Sequence, residues 1–143
     1  MFMGKLMYTS TLIKKAARLL EKKANQLLKP YQITHGYTYF LMELFEQDGL
    51  TQTALQRAIG VEQPTVVRTL DRMERDGLIE RKPSPTDRRA FHIYLTDKGR
   101  ACEPMVRTAA SELNQSLLQT VSAEEQAVIQ SYLHRLIDNL EEN

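Results

Sequence analysis

The sequence predicts a mainly α-helical fold with one small β-hairpin, and three observations lead to this prediction. Apolar residues recur at the three- and four-residue spacing of amphipathic helices over most of the chain. Two short segments, 78–81 and 91–95, have the pattern of strands and flank a turn-rich stretch. The length of 143 residues is typical of one domain. We therefore expect residues 1–143 to form a single domain.

The composition predicts a globular protein, with 42% hydrophobic and 26% charged residues. The net charge is only +1, but it is unevenly distributed. Residues 1–100 carry 17 basic and 11 acidic residues, whereas residues 101–143 carry two basic and seven acidic residues. This asymmetry indicates that the first two thirds of the chain contact a polyanion and that the last third contacts a different kind of partner.

The sequence gives no indication of secretion or of membrane insertion. Cys102 is the only cysteine, so no internal disulfide can form, and the first residues lack the pattern of a secretory signal. No segment approaches the roughly 18 consecutive apolar residues of a membrane span. We expect a cytoplasmic protein without membrane contact, in which Cys102 is a buried structural thiol rather than a redox sensor.

Two helices are predicted before residue 50. The first runs from Tyr8 to Leu28 and ends because Pro30 cannot continue it. The second runs from about Thr34 to Gln47, and the turn at Gly49 stops it.

A tight pair of helices follows. The first helix of the pair runs from Gln52 to Ile59, with Thr51 as its cap and Gly60 as its end. Pro64 then opens a second helix, and residues 65–76 continue it until Gly77. The residues of the first helix that are predicted to point inward are Ala54, Leu55, Ala58 and Ile59.

The hairpin, Leu78–Leu95, has a basic tip between its two strands. Thr96 then caps a helix that runs to about Leu118, and Ser122 begins a capping box in front of the last helix. A helix pair followed directly by a hairpin is the element order of a winged helix-turn-helix. In that fold the hairpin is the wing.

The second helix of the pair has one inward side, formed by Val66, Leu70 and Met73. The opposite side is then exposed, and its N-terminal end usually meets base edges in this motif. Arg68 is the best candidate for a base contact, because a guanidinium group can bridge O6 and N7 of guanine. The residues predicted to lie in the DNA major groove are Gln63, Pro64, Thr65, Val67, Arg68 and Arg72.

Two interpretations of the arginines on this helix remain open. Arg72 and Arg75 could contact phosphate groups, because they lie further along the helix than Arg68. Alternatively, the arginines only keep an exposed helix soluble and pair with the neighbouring acidic residues, Asp71, Glu74 and Asp76.

The wing has its own cations at the hairpin tip, Lys82, Arg88 and Arg89, together with Asp87. The negative potential of a narrow minor groove attracts an inserted arginine, and a neighbouring carboxylate could orient it. The alternative is a solvated run of charge on a loop. The position directly after the helix pair favours the DNA contact.

Residues 58–79, from Ala58 to Ile79, resemble the corresponding segment of the MarR family, and within it most closely the SlyA branch. The resemblance continues through Asp87-Arg88-Arg89 and through residues 95–99. It implies a homodimer in which segments 1–30 and 99–143 form dimerisation helices and segment 31–98 forms the DNA-binding lobe. It further implies an AT-rich inverted repeat as the target, with Arg89, held by Asp87, in the minor groove and Arg88 on the backbone.

Members of this family often bind a small aromatic acid, which weakens DNA binding. The resemblance makes five residues candidates for such an effector pocket, although tyrosines at this spacing are more often core or interface residues: Arg18, Thr34, His35, Tyr37 and Tyr39. No cofactor and no metal are expected, because the three histidines are scattered and lack ligand spacing. We do not expect an enzyme. A winged helix that docks on proteins is the rival function, but it would need apolar anchors where this chain offers arginines.

Overall fold

The computed structural model describes residues 8–141. Its elements are α1 (Thr9–Leu28), a 3₁₀ turn (Lys29–Tyr31), α2 (His35–Glu46), β1 (Leu50–Thr51), α3 (Gln52–Ile59), α4 (Gln63–Arg75), β2 (Ile79–Pro83), β3 (Phe91–Leu95), α5 (Asp97–Ala101), α6 (Glu103–Leu118) and α7 (Ala123–Glu141). The predicted fold class, mainly helical with a small hairpin, is confirmed.

The sheet has three strands in the order β1-β3-β2, all antiparallel. β2 and β3 form the predicted hairpin, from the pair Ile79 and Leu95 to the pair Pro83 and Phe91. The third strand, β1, was not predicted, because a strand of two residues is too short to show an alternating pattern. Its pairing with β3 attaches the wing to the start of α3.

The prediction of one continuous helix from Thr96 to Leu118 is wrong, because the structure divides this segment into α5 and α6. The break lies at Cys102, whose N–H bonds to the carbonyl of Gly99 in a tighter turn. Pro104 lies just after the break and has no N–H to donate, so a continuous helix would lose a hydrogen bond there.

The hydrophobic core lies between α2, α4 and the sheet and extends to α1 and α6. The inward side of α4 was predicted correctly, since Val66, Leu70 and Met73 are fully buried. On α3 the inward side is narrower than predicted. Leu55 is fully buried and Ala54 and Ile59 are half-buried, whereas Ala58 is exposed.

Candidate nucleic-acid interface

Local signals in the sequence fix the position of α4. The hydroxyl of Thr51 caps α3 by accepting a hydrogen bond of 3.1 Å from the Ala54 N–H. Gly60 ends α3 with a φ of 77°, in the left-handed region that favours glycine. Gln63 and Pro64 then open α4, where the missing N–H of proline is tolerated. The helix pair is therefore formed as the sequence predicts.

The outer face of α4 comprises Gln63, Pro64, Thr65, Val67, Arg68, Asp71, Arg72 and Arg75. All of these residues are exposed except Val67, which is half-buried. Within residues 8–141, neither Arg68 nor Arg72 forms an ion pair, whereas Arg75 lies 3.4 Å from the carboxylate of Asp76. Pairing with a neighbouring acidic residue therefore describes Arg75 alone among the three arginines.

The two other acidic residues of α4 are paired with Arg81 on β2. The guanidinium group of Arg81 contacts Asp71, and its Nε lies 3.7 Å from Glu74. The backbone N–H of Arg81 also donates a hydrogen bond of 3.2 Å to the carboxylate of Glu74. The sequence prediction missed this role. One local signal was present in the sequence. Arg81 follows the buried Ile79 by two residues, so its side chain lies on the same side of the strand, facing the protein.

The wing tip is held by hydrogen bonds of its own backbone. Ser84 N–H donates to the carbonyl of Ala90, at 2.9 Å. Asp87 accepts a hydrogen bond of 3.0 Å from the backbone N–H of Arg89, so it fixes the main chain at this arginine. Arg88 and Arg89 are both exposed.

Lys82 does not lie at the wing tip, contrary to the prediction, because β2 extends to Pro83. Its ammonium group is 3.4 Å from Glu80 and 5.0 Å from the ring centre of Tyr94. These partners hold Lys82 along the strand.

A polar depression joins the start of α4 to the wing. It has a volume of about 170 Å³, and Gln63 and Arg89 both line it. The remaining lining comes from the end of β1, the start of α3, Ala90 of the wing loop and the start of β3. The fold therefore brings together two predicted DNA contacts that are 26 residues apart in the sequence.

The five candidate effector residues do not share one cavity. Tyr37 is a core residue, 5% exposed, and its hydroxyl donates to Asp76. Arg18, Thr34 and Tyr39 are exposed, and Tyr39 lies 3.0 Å from the His35 ring nitrogen. His35 lines a cavity of about 140 Å³, whose walls come from α1, α2 and α6: Ala24, Leu28, His35, Thr38, Met42, Val106, Ala109, Ala110 and Leu113.

A long apolar stripe on α7 is exposed in the single chain, and α1 exposes further large apolar residues. A patch of this extent is typical of a protein–protein interface. The exposed residues are Leu12, Ile13 and Leu19 on α1, and Val128, Ile129, Tyr132, Leu133, Leu136, Ile137 and Leu140 on α7.

Cys102 is buried, and burial raises the pKa of its thiol. The thiol donates a weak hydrogen bond to the carbonyl of Lys98, at 3.3 Å. Such an environment favours the neutral, unreactive form. Within residues 8–141, no cluster of side chains is suited to hold a metal ion, and no helix is long and apolar enough to cross a membrane.

Comparison with known proteins gives the same classification at three levels. The model of the MarR family matches residues 33–91. YybA of Bacillus subtilis (strain 168), an uncharacterized HTH-type transcriptional regulator, is 27% identical over 125 residues, which cover 87% of this chain and 83% of YybA.

Two solved structures are similar over almost the whole chain. One is an S. aureus MepR–DNA complex, with a TM-score of 0.88, 29% identity, and coverage of 94% of this chain and 99% of MepR. The other is the transcriptional regulator SlyA, with a TM-score of 0.87, 28% identity and 94% coverage of both chains. Residues 33–91 therefore carry a MarR-family domain, and the chain is similar over almost its whole length to transcriptional regulators of this type. The predicted resemblance to SlyA is confirmed.

Proposed function

We propose that this MarR-family regulator binds double-stranded DNA as a homodimer, on an AT-rich inverted repeat. One observation supports this function above the others. Arg68 and Arg72 are exposed on the outer face of α4 and have no acidic partner within residues 8–141. A surface for protein docking would be expected to carry apolar anchors there, and only the half-buried Val67 is apolar apart from Pro64.

The N-terminal half of α4 supplies the proposed base contacts. Arg68 bridges O6 and N7 of guanine, and Gln63 pairs with adenine. Thr65 and Val67 meet thymine methyl groups, although Val67 offers only part of its side chain because it is half-buried. Pro64 lies beside them, and Arg72, one turn after Arg68, extends the contact along the groove.

The wing supplies the proposed shape recognition. Arg89 enters the minor groove, whose narrow form in AT-rich DNA attracts a cation. Asp87 supports this by fixing the main chain at Arg89 through their hydrogen bond of 3.0 Å. Arg88, which is exposed beside them, contacts the phosphate backbone.

In the proposed homodimer, segments 1–30 and 99–143 hold two DNA-binding lobes, 31–98, over the two half-sites. The exposed apolar stripe of α7 and the apolar residues of α1 support this assignment. A two-fold axis between the lobes requires a two-fold axis in the DNA, with half-sites about one helical turn apart.

Release by a small aromatic acid is the proposed regulation, and the cavity beside His35 is its site. The ring would contact the apolar walls, and among the described residues the polar side chains that line the cavity are those of His35 and Thr38. Because no arginine or lysine in the described part of the chain lines the cavity, His35 would have to receive the carboxylate. A ligand acts only if it binds the DNA-free state more tightly than the DNA-bound state.

Fluorescence anisotropy with a labelled AT-rich palindromic duplex, titrated at several salt concentrations, tests the function. We expect binding below the micromolar range and a steep loss of affinity as salt rises, because the arginines displace counterions from phosphates. Absence of binding to any duplex, or an affinity that does not change with salt, would contradict the proposal.

A further inference from the structure

We propose that Arg81 is a positioning residue for DNA binding that does not itself contact DNA. Its charge neutralises the carboxylate of Asp71, so that the outer face of α4 can approach phosphate groups. This inference rests on the proposed function, because it concerns the same surface.

The position of Arg81 differs from that of every other arginine near this surface. Its side chain is only 19% exposed, and its guanidinium group lies between the carboxylates of Asp71 and Glu74. Arg68, Arg72 and Arg89, in contrast, are exposed. The guanidinium group of Arg81 therefore faces α4 rather than solvent.

The hydrogen bonding of Arg81 indicates that charge is its main contribution. Its Nε atom is buried and makes no hydrogen bond within the described part of the chain, although Glu74 lies 3.7 Å away. A guanidinium group with a purely architectural role would be expected to satisfy its donors. Here the guanidinium group donates a hydrogen bond to Asp71, and its single positive charge also faces Glu74, to which Nε makes no hydrogen bond.

The negative charge of Asp71 has to be neutralised because of where this residue lies. It lies on the outer face of α4, between Arg68 and Arg72 in the sequence, and its side chain is 60% exposed. An unpaired carboxylate there would repel the phosphates that the flanking arginines attract. Pairing with Arg81 leaves Arg68 and Arg72 without this competing negative charge.

The test compares DNA affinity in Arg81→Met, Asp71→Asn and the double variant. We expect Arg81→Met to weaken binding about tenfold, because like charges are then juxtaposed. The double variant keeps the net charge of the wild-type cluster, and we expect its affinity to return to within about threefold of wild type. Arg81→Lys, which keeps the charge in a smaller group, should also stay within about threefold.

Lys82→Met is the matched control, because it removes one positive charge from the next position of β2 without exposing a carboxylate of α4. Asp71→Asn should not rescue it. Thermal unfolding of each variant shows which of them are folded, and Arg81→Gln, which also removes the charge, replaces Arg81→Met in the comparison if Arg81→Met does not fold.

Three outcomes would overturn the proposal. Arg81→Met could bind as tightly as wild type, or the double variant could remain as weak as Arg81→Met. A direct phosphate contact would instead reduce the slope of log affinity against log salt by about one in Arg81→Met, without rescue by Asp71→Asn. A wild-type chain that binds no duplex contradicts the proposed function itself, whereas these three outcomes leave that function standing.

Discussion

The hydroxyl of Tyr37 on α2 donates a hydrogen bond of 2.7 Å to the carboxylate of Asp76, at the C-terminal end of α4. Asp76 is also held from α5, since Lys98 Nζ donates to its backbone carbonyl at 2.8 Å. The end of α4 is thereby attached to α2 and to α5. These contacts fix the direction in which α4 presents Arg68.

Replacement of Tyr37 by phenylalanine should lower the free energy of unfolding by about 1.5–3 kcal/mol, because a partly buried hydrogen bond to a carboxylate is lost. Urea unfolding followed by circular dichroism measures the change. Tyr39→Phe is the control, since Tyr39 is exposed and its hydroxyl contacts the exposed side of His35, and it should change stability by less than about 0.5 kcal/mol. Equal stability of the two variants would show that the Tyr37 hydrogen bond has no net effect.

The stability of the fold should also fall at alkaline pH because of Tyr37. Burial, together with the hydrogen bond to Asp76, raises the pKa of Tyr37 from 10.0 to about 12. The folded state therefore favours the neutral phenol, and this stabilisation is complete below pH 10.0 and lost as the pH rises towards 12. The free energy of unfolding, measured across this interval, should decline less steeply in Tyr37→Phe. Parallel profiles would refute the assignment.

Gly99→Ala should destabilise the protein severely. A Cβ atom at this buried glycine would overlap the backbone carbonyl of Leu78, which cannot move as a side chain does. We expect a loss of at least about 1–3 kcal/mol, the usual cost of overpacking. Gly36→Ala is the matched control, because nothing lies within 4 Å of the place that an added Cβ would take in α2, and it should stabilise by roughly 0.5–1 kcal/mol. Similar melting temperatures for both variants would contradict this prediction.

The sequence predicts those parts of the fold that depend on local signals. Thr51, Gly60 and Gly77 set the ends of α3 and α4 through a cap and two left-handed turns, which need no tertiary information. The strand β1 was missed because it exists only through its pairing with β3. The break at Cys102 was missed although Pro104, which lies in the interior of the predicted helix, was a visible signal for it.

The candidate site, too, was predicted from the sequence only where local signals specify it. Helical periodicity predicts the exposure of Arg68 and Arg72, since it needs only the spacing of the buried residues beside them. The pairing of Arg81 with Asp71 joins residues from different elements, and no local pattern specifies it. The sequence makes Tyr37 a pocket candidate, but its partner Asp76 is 39 residues away and holds it in the core.

Leu133→Glu should convert the proposed dimer into a monomer, because it places a charge in the apolar stripe of α7. Analytical ultracentrifugation measures the change in mass, and anisotropy should show a matching loss of affinity for a palindromic duplex. Ser131→Glu adds the same charge on the opposite side of α7 and should remain dimeric. A dimeric Leu133→Glu variant would show that the interface lies elsewhere.

Arg68→Ala should cost roughly 1–3 kcal/mol of binding free energy and relax the preference at one base pair of each half-site. Arg89→Ala should weaken AT-rich sites most, because it acts in the minor groove. Arg75→Ala is the control, since Asp76 already pairs with this arginine, and its effect should be small. Equal losses on every sequence would make Arg68 and Arg89 phosphate contacts rather than specificity contacts.

Selection of bound duplexes from a random library, performed in parallel with the wild-type chain and Arg68→Ala, tests the central claim most directly. The wild-type chain should enrich an AT-rich inverted repeat with half-site centres about one helical turn apart. Arg68→Ala should enrich the same repeat with one position per half-site degenerate. Enrichment of no sequence, or of a sequence without two-fold symmetry, would contradict the proposal that two copies of α4 read DNA as a symmetric pair.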